Sequence, residues 1–426
     1  MHFNHGKRVG NGHLFSLAIA VATLHSIIAG RMLAAADWHE FRGGSKAGHA
    51  TSDLLPETWS ATDNVDWRIE LPGQGWSSPV TNQGRIYLTA ATPTDEPNSY
   101  ELSVLCHSVV DGSLHWKTPI FDQGENAPKI HQKNSHASPT VVVTGKRLIV
   151  HFGHQGTACL DLSGKVIWRH QDVQYSPVHG NGGSPIVVDG KVIFSCDGAR
   201  DPFVVALDIE SGQPIWRTPR SVEADRKFSF STPTIVRWKG QPQIISSGSN
   251  AVCAYSVDGN ELWKVKYDGY SVIPKPVFAN GLIYVCTGFN QPSLLAIRPG
   301  GNGDSTESHL AWSVKRQVPH TPSVLVIEDL LYMVSDRGVA SCLVAESGEE
   351  VWQERLAGKG YSASPLFADG KIYFTSEDGI TTVVRPGRQF TKVAENDLGE
   401  RTLASLGVVD NSILIRTEAA LYRITR

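Results

Sequence analysis

The chain has 426 residues, 41% of them hydrophobic and 19% charged, with a formal net charge of −3. That apolar content supports a folded core and excludes a disordered polar chain, and the balanced charge without basic runs excludes nucleic acid as an electrostatic partner. Length alone suggests two or three domains.

Residues 1–36 read as a signal peptide. Lys7 and Arg8 precede an apolar run from Leu14 to Ala29, and Ala34, Ala35 and Ala36 stand before Asp37, so cleavage is expected near Ala36. The run is shorter than the roughly 20 residues that span a bilayer, and His25 interrupts it; a retained anchor is the alternative. The expected location is exported, periplasmic or extracellular. No Cys lies near the cleavage position, which argues against lipid attachment there. Residues 37–64 form an N-terminal extension, and 65–426 one repeat domain.

Within 65–426, Trp67, Trp116, Trp168, Trp216, Trp263, Trp312 and Trp352 recur at near-regular intervals. A period of roughly 40 to 50 residues with several short strands per unit predicts a β-propeller. Units open at Ser78-Pro79, Ser138-Pro139, Ser184-Pro185, Thr232-Pro233, Lys275-Pro276, Thr321-Pro322, Ser364-Pro365 and, without Pro, Ala404-Ser405. Each opening is followed by a turn, from Gln83-Gly84 and Thr144-Gly145 through Asp189-Gly190, Lys239-Gly240, Asn280-Gly281, Glu328-Asp329 and Asp369-Gly370 to Asp410-Asn411. Gly, Asn and Asp dominate because two-residue hairpin loops need positive φ. The fold class is therefore all-β, an eight-bladed propeller of four-stranded antiparallel blades. The eighth unit has sequence for three strands only, so Val65–Leu71 is expected to supply its fourth and close the ring, removing open sheet edges. Unit seven has Val393 where the outer-strand Trp would stand.

Six cysteines in an exported chain could form a disulfide framework. Cys106, Cys159, Cys253 and Cys342 instead fill one repeated third-strand position, and Cys196 and Cys286 end second strands. Equivalent positions in different blades lie beyond the roughly 7 Å that a disulfide allows, so buried packing is expected.

The fullest copy of the repeat is Ala206-x-Asp208-x-x-Ser211-Gly212-x-x-x-Trp216. Asp208 and Ser211 can satisfy turn donors, Gly212 supplies the unusual φ, and Trp216 can lie flat between blades. The unit resembles the tryptophan-docking motif of the pyrroloquinoline-quinone (PQQ) repeat propellers. That superfamily includes quinoprotein alcohol dehydrogenases and non-catalytic members such as the β-propeller subunit of the outer-membrane barrel assembly machinery. Asp37-Trp38-His39-Glu40-Phe41-Arg42-Gly43-Gly44 and Gly75-Trp76-Ser77-Ser78-Pro79 resemble exported, single-domain PQQ-like propellers of planctomycete type.

A quinoprotein dehydrogenase needs a quinone pocket, a Ca²⁺ held by carboxylate and amide oxygens, and an Asp base. The chain has no adjacent Cys pair, no haem-attachment Cys-x-x-Cys-His and none of the long insertions that build that pocket in the enzymes. No catalytic residue and no cofactor, neither PQQ nor Ca²⁺, is expected; a PQQ-dependent dehydrogenase is the alternative. His131, His136, His151, His154, His170 and His179 cluster in sequence, but no helix sets two of them at ligand spacing and no metal site is expected.

In a propeller, the loops leading into the inner strands and those joining second to third strands share one face at the channel mouth. The first set delivers Trp76, His136, His179, Lys227, Tyr270, His320, Tyr361 and Arg401, with Lys275 nearby; the second adds Arg200, Asp201, Asn290, Arg337 and Glu377. Aromatic and cationic side chains in loops that need only turn point to binding of an extended peptide or an anionic or carbohydrate-like ligand. The expected function is a non-catalytic binding or scaffold module, monomeric, with a protein or other extracytoplasmic partner and envelope association.

Overall fold

A computed structural model describes residues 37–426 apart from 45, 53, 126 and 290. The signal-peptide reading of 1–36 lies outside the described residues. Eight sheets form the ring. Blades one to seven each run inner to outer in chain order, beginning at Val80, Val142, Ile186, Thr234, Val277, Leu325 and Leu366. Blade eight is built from Gly407–Val409, Ser412–Arg416 and Ala420–Ile424, with Val65–Glu70 antiparallel to the last of these as the outermost strand. Closure by the N-terminal strand is as expected.

Burial follows the layering. Second strands such as Leu330–Val334 are buried at every position because neighbouring blades cover both faces, whereas Val65–Glu70 alternates between half-buried and exposed. Of the eight inner turns, Gln83-Gly84, Asp189-Gly190, Lys239-Gly240, Asn280-Gly281 and Asp369-Gly370 have positive φ at both residues. In blade two the strand runs on through Thr144, so the turn sits one residue later than expected, with Gly145 supplying the positive φ.

The repeated Trp is a ball on which the next blade rests. Trp168 Nε1 donates to Ile209 O at 2.9 Å, and Trp216 Nε1 to Val257 O at 3.0 Å. Trp67, Trp312 and Trp352 make the same bond to Val109, Ala345 and Gly387. A Cβ on Gly212 would lie 2.5 Å from Trp168 Cε3, and one on Gly259 2.5 Å from Trp216 Cδ2. Glycine is needed there for contact as well as for φ. The Trp116 ring is met in the same way by Gly164, although its Nε1 is buried without an acceptor. Trp263 differs: it is fully buried but donates to Gln243 Oε1 within its own blade. Blade five's third-to-fourth connection is long, and its strand Gly303–Asp304 and short helix Thr306–His309 lie along the outer edge of blade four.

Blade seven lacks the Trp, and the extension supplies one. Tyr87, Tyr284 and Tyr332 on second strands pair with the Trp of their own blade at about 6 Å between centroids, namely 6.0, 5.9 and 6.0 Å. The corresponding Tyr373 stacks on Trp59 at 6.3 Å and 24°. Trp59 N donates to Asn396 Oδ1 at 2.8 Å, and Asn396 Nδ2 to Glu57 O at 2.9 Å, so the outer strand of blade seven clasps the segment.

All six cysteines are buried and free. Burial raises their thiols, Cys106 to about 12. Among the described residues no helix is long and apolar enough to cross a membrane.

Candidate functional site: a one-ended pit on the ring axis

The inner strands begin with a girdle of hydroxyls. Ser78 N donates to Thr140 Oγ1, Thr140 N to Ser184 Oγ and Ser184 N to Thr232 Oγ1, at 3.0, 2.9 and 2.9 Å. A second arc runs from Lys275 N to Ser323 Oγ, then Ser323 N to Ser364 Oγ and Ser364 N to Ser405 Oγ, at 3.0, 3.0 and 2.9 Å. The girdle breaks at Lys275, which has no hydroxyl, and at Ser78, whose buried Oγ has no partner.

The extension closes one end of the channel. Trp38 O accepts from Thr81 N of blade one and His39 O from Val143 N of blade two; Gly48 O accepts from Phe367 N of blade seven. Asp37 caps the blade-one turn at Gln83 N, and Ser52 donates to Asn411 in the blade-eight turn. The segment therefore crosses the face that carries the turns between first and second strands. Between these ends, the Lys275 ammonium lies 3.5 Å from Glu40 and donates to Phe41 O. Burial lowers the Lys275 ammonium, with Glu40 acting in the opposite sense. Arg42 is buried at positive φ, donates to Pro365 O at 3.4 Å, and leaves Nε and Nη1 without acceptors. Burial pulls its guanidinium down to about 9.

What remains is a pit of 720 Å³, open at the opposite face, with Phe41 and the hydroxyls of Ser78, Thr140, Ser184, Thr232, Ser323, Ser364 and Ser405 in its lining. Its mouth carries an arc of edge-to-face rings, each from a different loop: His131–His179 at 5.8 Å, His179–Phe228 at 5.4 Å, Phe228–Tyr270 at 5.8 Å, Tyr270–Phe289 at 5.9 Å and Phe289–His320 at 5.4 Å. Ring edges meeting faces is the arrangement aromatic quadrupoles favour. Arg226 lies over Tyr270 and bonds its hydroxyl.

Of the residues expected at the mouth, Trp76, His179, Tyr270, His320 and Arg337 line the pit. Arg401 stands beside it, 5.4 Å over the Trp76 ring and bonded to Gln132 O and Glu418. Glu377 is just behind the wall, taking Lys133 Nζ at 2.6 Å and Ser362 Oγ at 2.6 Å. Six expectations are corrected. Tyr361 is fully buried in the core between blades six and seven with its hydroxyl on Ala357 O. His136 is buried against Tyr100 at 4.5 Å, and burial drops its imidazole to about 4. Lys275 is committed to the extension. Lys227 pairs with Glu223 and lies outside the lining. Arg200 and Asp201 are exposed and also outside it, and Asn290 is outside the described residues. Lys133, Arg226, Phe228, Phe289 and Phe41 were missed; Phe228-Ser229-Phe230 in an otherwise polar loop was the available signal.

Carboxylates are scarce. Asp336 lines the pit, but Oδ2 accepts from His320 N and Oδ1 from Thr321 Oγ1. No group of three or more His, Cys, Asp or Glu residues with metal-binding geometry exists among the described residues. His151 bonds Thr157 and His154 contacts Asn181.

Fold and repeat together define an eight-bladed PQQ-type propeller. A family profile described as "Outer membrane protein assembly factor BamB" matches residues 61–241, 200–322 and 303–387, and the chain belongs to that family. The outer membrane protein assembly factor BamB of Yersinia pestis is 21% identical over 216 residues, 46% of this chain and 52% of the relative. The match thus spans about half the length of that curated relative. The crystal structure of BamB from Moraxella catarrhalis superposes with a TM-score of 0.57 at 14% identity, covering 81% of this chain and 97% of the other. A europium-containing methanol dehydrogenase superposes with a TM-score of 0.50 at 10% identity, covering 90% of each. At these identities both establish shared fold alone.

Proposed function

We propose that this chain is a non-catalytic, exported binding propeller that takes its ligand or protein partner at the aromatic mouth of the axial pit. The observation that carries the reading is the one-ended pit itself: a cavity of ligand size, closed beneath by Phe41 and ringed by aromatic side chains that no turn requires. Family membership supports a partner in the cell envelope, since the matching relative is named as an outer membrane protein assembly factor.

The lining chemistry favours binding over quinone catalysis. A Ca²⁺–quinone site needs several free carboxylate and amide oxygens and an Asp base. The carboxylate of Asp336 is already engaged through both oxygens, and Glu377 holds Lys133 and Ser362. The residues present do not fit that group.

Two assays on the purified chain test the proposal. Dye-linked alcohol oxidation with and without PQQ and Ca²⁺ should give no turnover; PQQ- and Ca²⁺-dependent dye reduction would overturn the non-catalytic reading. Capture of solubilised envelope proteins should fall away in a Phe228→Ala, Tyr270→Ala variant of unchanged melting temperature. Undiminished capture would move the binding site off the mouth.

A further inference from the structure

The pit is asymmetric in charge and in donors, and that asymmetry names a ligand class. Beneath the floor, Arg42 and Lys275 bring two buried cations against the one carboxylate of Glu40. At the rim, Arg226 and Arg337 make no salt bridge among the described residues and outnumber the one carboxylate of the lining, Asp336, whereas the rim's Lys133 is neutralised by Glu377. The axis is therefore electropositive at both levels, and a walled cleft focuses that field.

The donors are equally one-sided. Each girdle hydroxyl from Thr140 to Ser405 accepts a backbone N–H, and none donates its own proton to an acceptor among the described residues. Ser78 Oγ is buried and has neither donor nor acceptor, although buried hydroxyls are almost always bonded. The girdle residues line the pit, and their hydroxyl protons have no acceptor among the described residues. Above them the wall is aromatic, with Phe228, Phe230 and Tyr270 offering faces and edges to an apolar body.

We propose that the pit binds a small organic anion with a flat apolar body, its anionic group on the hydroxyl girdle and its body within the aromatic collar. This rests on the binding reading above and specifies the ligand. Hydrogen bonds to an ionised acceptor are the strong ones, and the uncompensated buried positive charge favours an ionised form over a neutral one. A carboxylated quinone would satisfy the same requirement for an anion, so the dye assay above, and not binding, separates this proposal from redox chemistry.

The probe is naphthalene-2-carboxylate, compared by titration calorimetry with the uncharged naphthalene-2-carboxamide on the full chain. One acid molecule should bind per chain, with the amide about tenfold weaker or more. Ser78→Ala removes a hydroxyl that makes no internal bond, so it should leave the melting temperature unchanged and weaken the acid by about tenfold. Phe228→Ala should weaken acid and amide alike. Equal affinity for acid and amide, no binding of the acid, or unaltered binding by Ser78→Ala would each overturn the proposal. If the acid fails while envelope capture still depends on Phe228 and Tyr270, only the ligand class is wrong; if both fail, the mouth is not a binding site.

Discussion

Trp59→Ala tests whether the extension is part of the ring's core. Trp59 is 5% exposed, stacked on Tyr373, and occupies the place left open by Val393 in blade seven. Truncating a buried Trp costs about 3–5 kcal/mol. The lower end applies here because the indole Nε1 is buried without an acceptor, so its removal also relieves a desolvated donor. The backbone bond from residue 59 to Asn396 survives the substitution. Unfolding entropy of roughly 2.1 cal/mol/K per residue gives about 0.8 kcal/mol/K for a folded unit of this length, so a loss of about 3 kcal/mol lowers the melting temperature by about 4 °C. Scanning calorimetry should show that shift, whereas Trp59→Phe, which keeps most of the ring and removes the stranded donor, should stay within about 1 kcal/mol of the parent. A Trp59→Ala protein that melts with the parent would refute the idea that the extension completes blade seven.

Gly259→Ala forces a Cβ to 2.5 Å from Trp216 Cδ2 at φ +87, and Trp216→Ala removes the ring itself; each should lower the urea midpoint by the equivalent of about 3 kcal/mol, and together they should be less than additive. Asp197 and Arg220 form a buried bidentate pair at 2.7 and 2.6 Å, so Arg220→Met alone should cost about 3–5 kcal/mol in the same assay. Burial holds the His151 imidazole down at about 3, against 6.5 when unfolded. The unfolded chain therefore binds the extra proton between those values, and this residue's stability contribution is full above pH 6.5 and lost as pH falls towards 3. His151→Gln should flatten the stability profile in that window by up to about 1.4 kcal/mol per pH unit. Lys275→Ser breaks the ion pair to Glu40 while restoring a hydroxyl to the girdle, so protease cleavage within 37–64 should accelerate with the ring left intact.

Blade count, closure and Trp docking were legible because they repeat: seven regularly spaced Trp and eight turns overdetermine the register. The pit was only half legible. Placing a residue in an inlet loop fixes its position to within a turn but not the direction of its side chain, and Tyr361 falls in such a loop yet points into the core between blades six and seven. The Pro-marked openings contained the girdle, but in blades two and six the relevant hydroxyls are Thr140 and Ser323, one residue beyond the Pro. Lys275 is expected at the mouth from its place in the chain but turns to the extension instead. Its target, Glu40 with Phe41, lies more than two hundred positions away in a segment with no repeat to register it.

Pairing Val65–Glu70 with Ala420–Ile424 dictates the order in which the molecule can be assembled. While the chain is being made, the earliest strand of the ring has no mate until Ala420–Ile424 emerges, after all seven other blades. Such distant pairing is slow because the whole intervening loop must be closed before any bond forms. The same topology makes reopening a concerted event in which the five register pairs of that strand separate while the rest of the ring is still held by its docking tryptophans. Locking therefore comes late and in one step, and unlocking from the seam requires that step to be reversed at once.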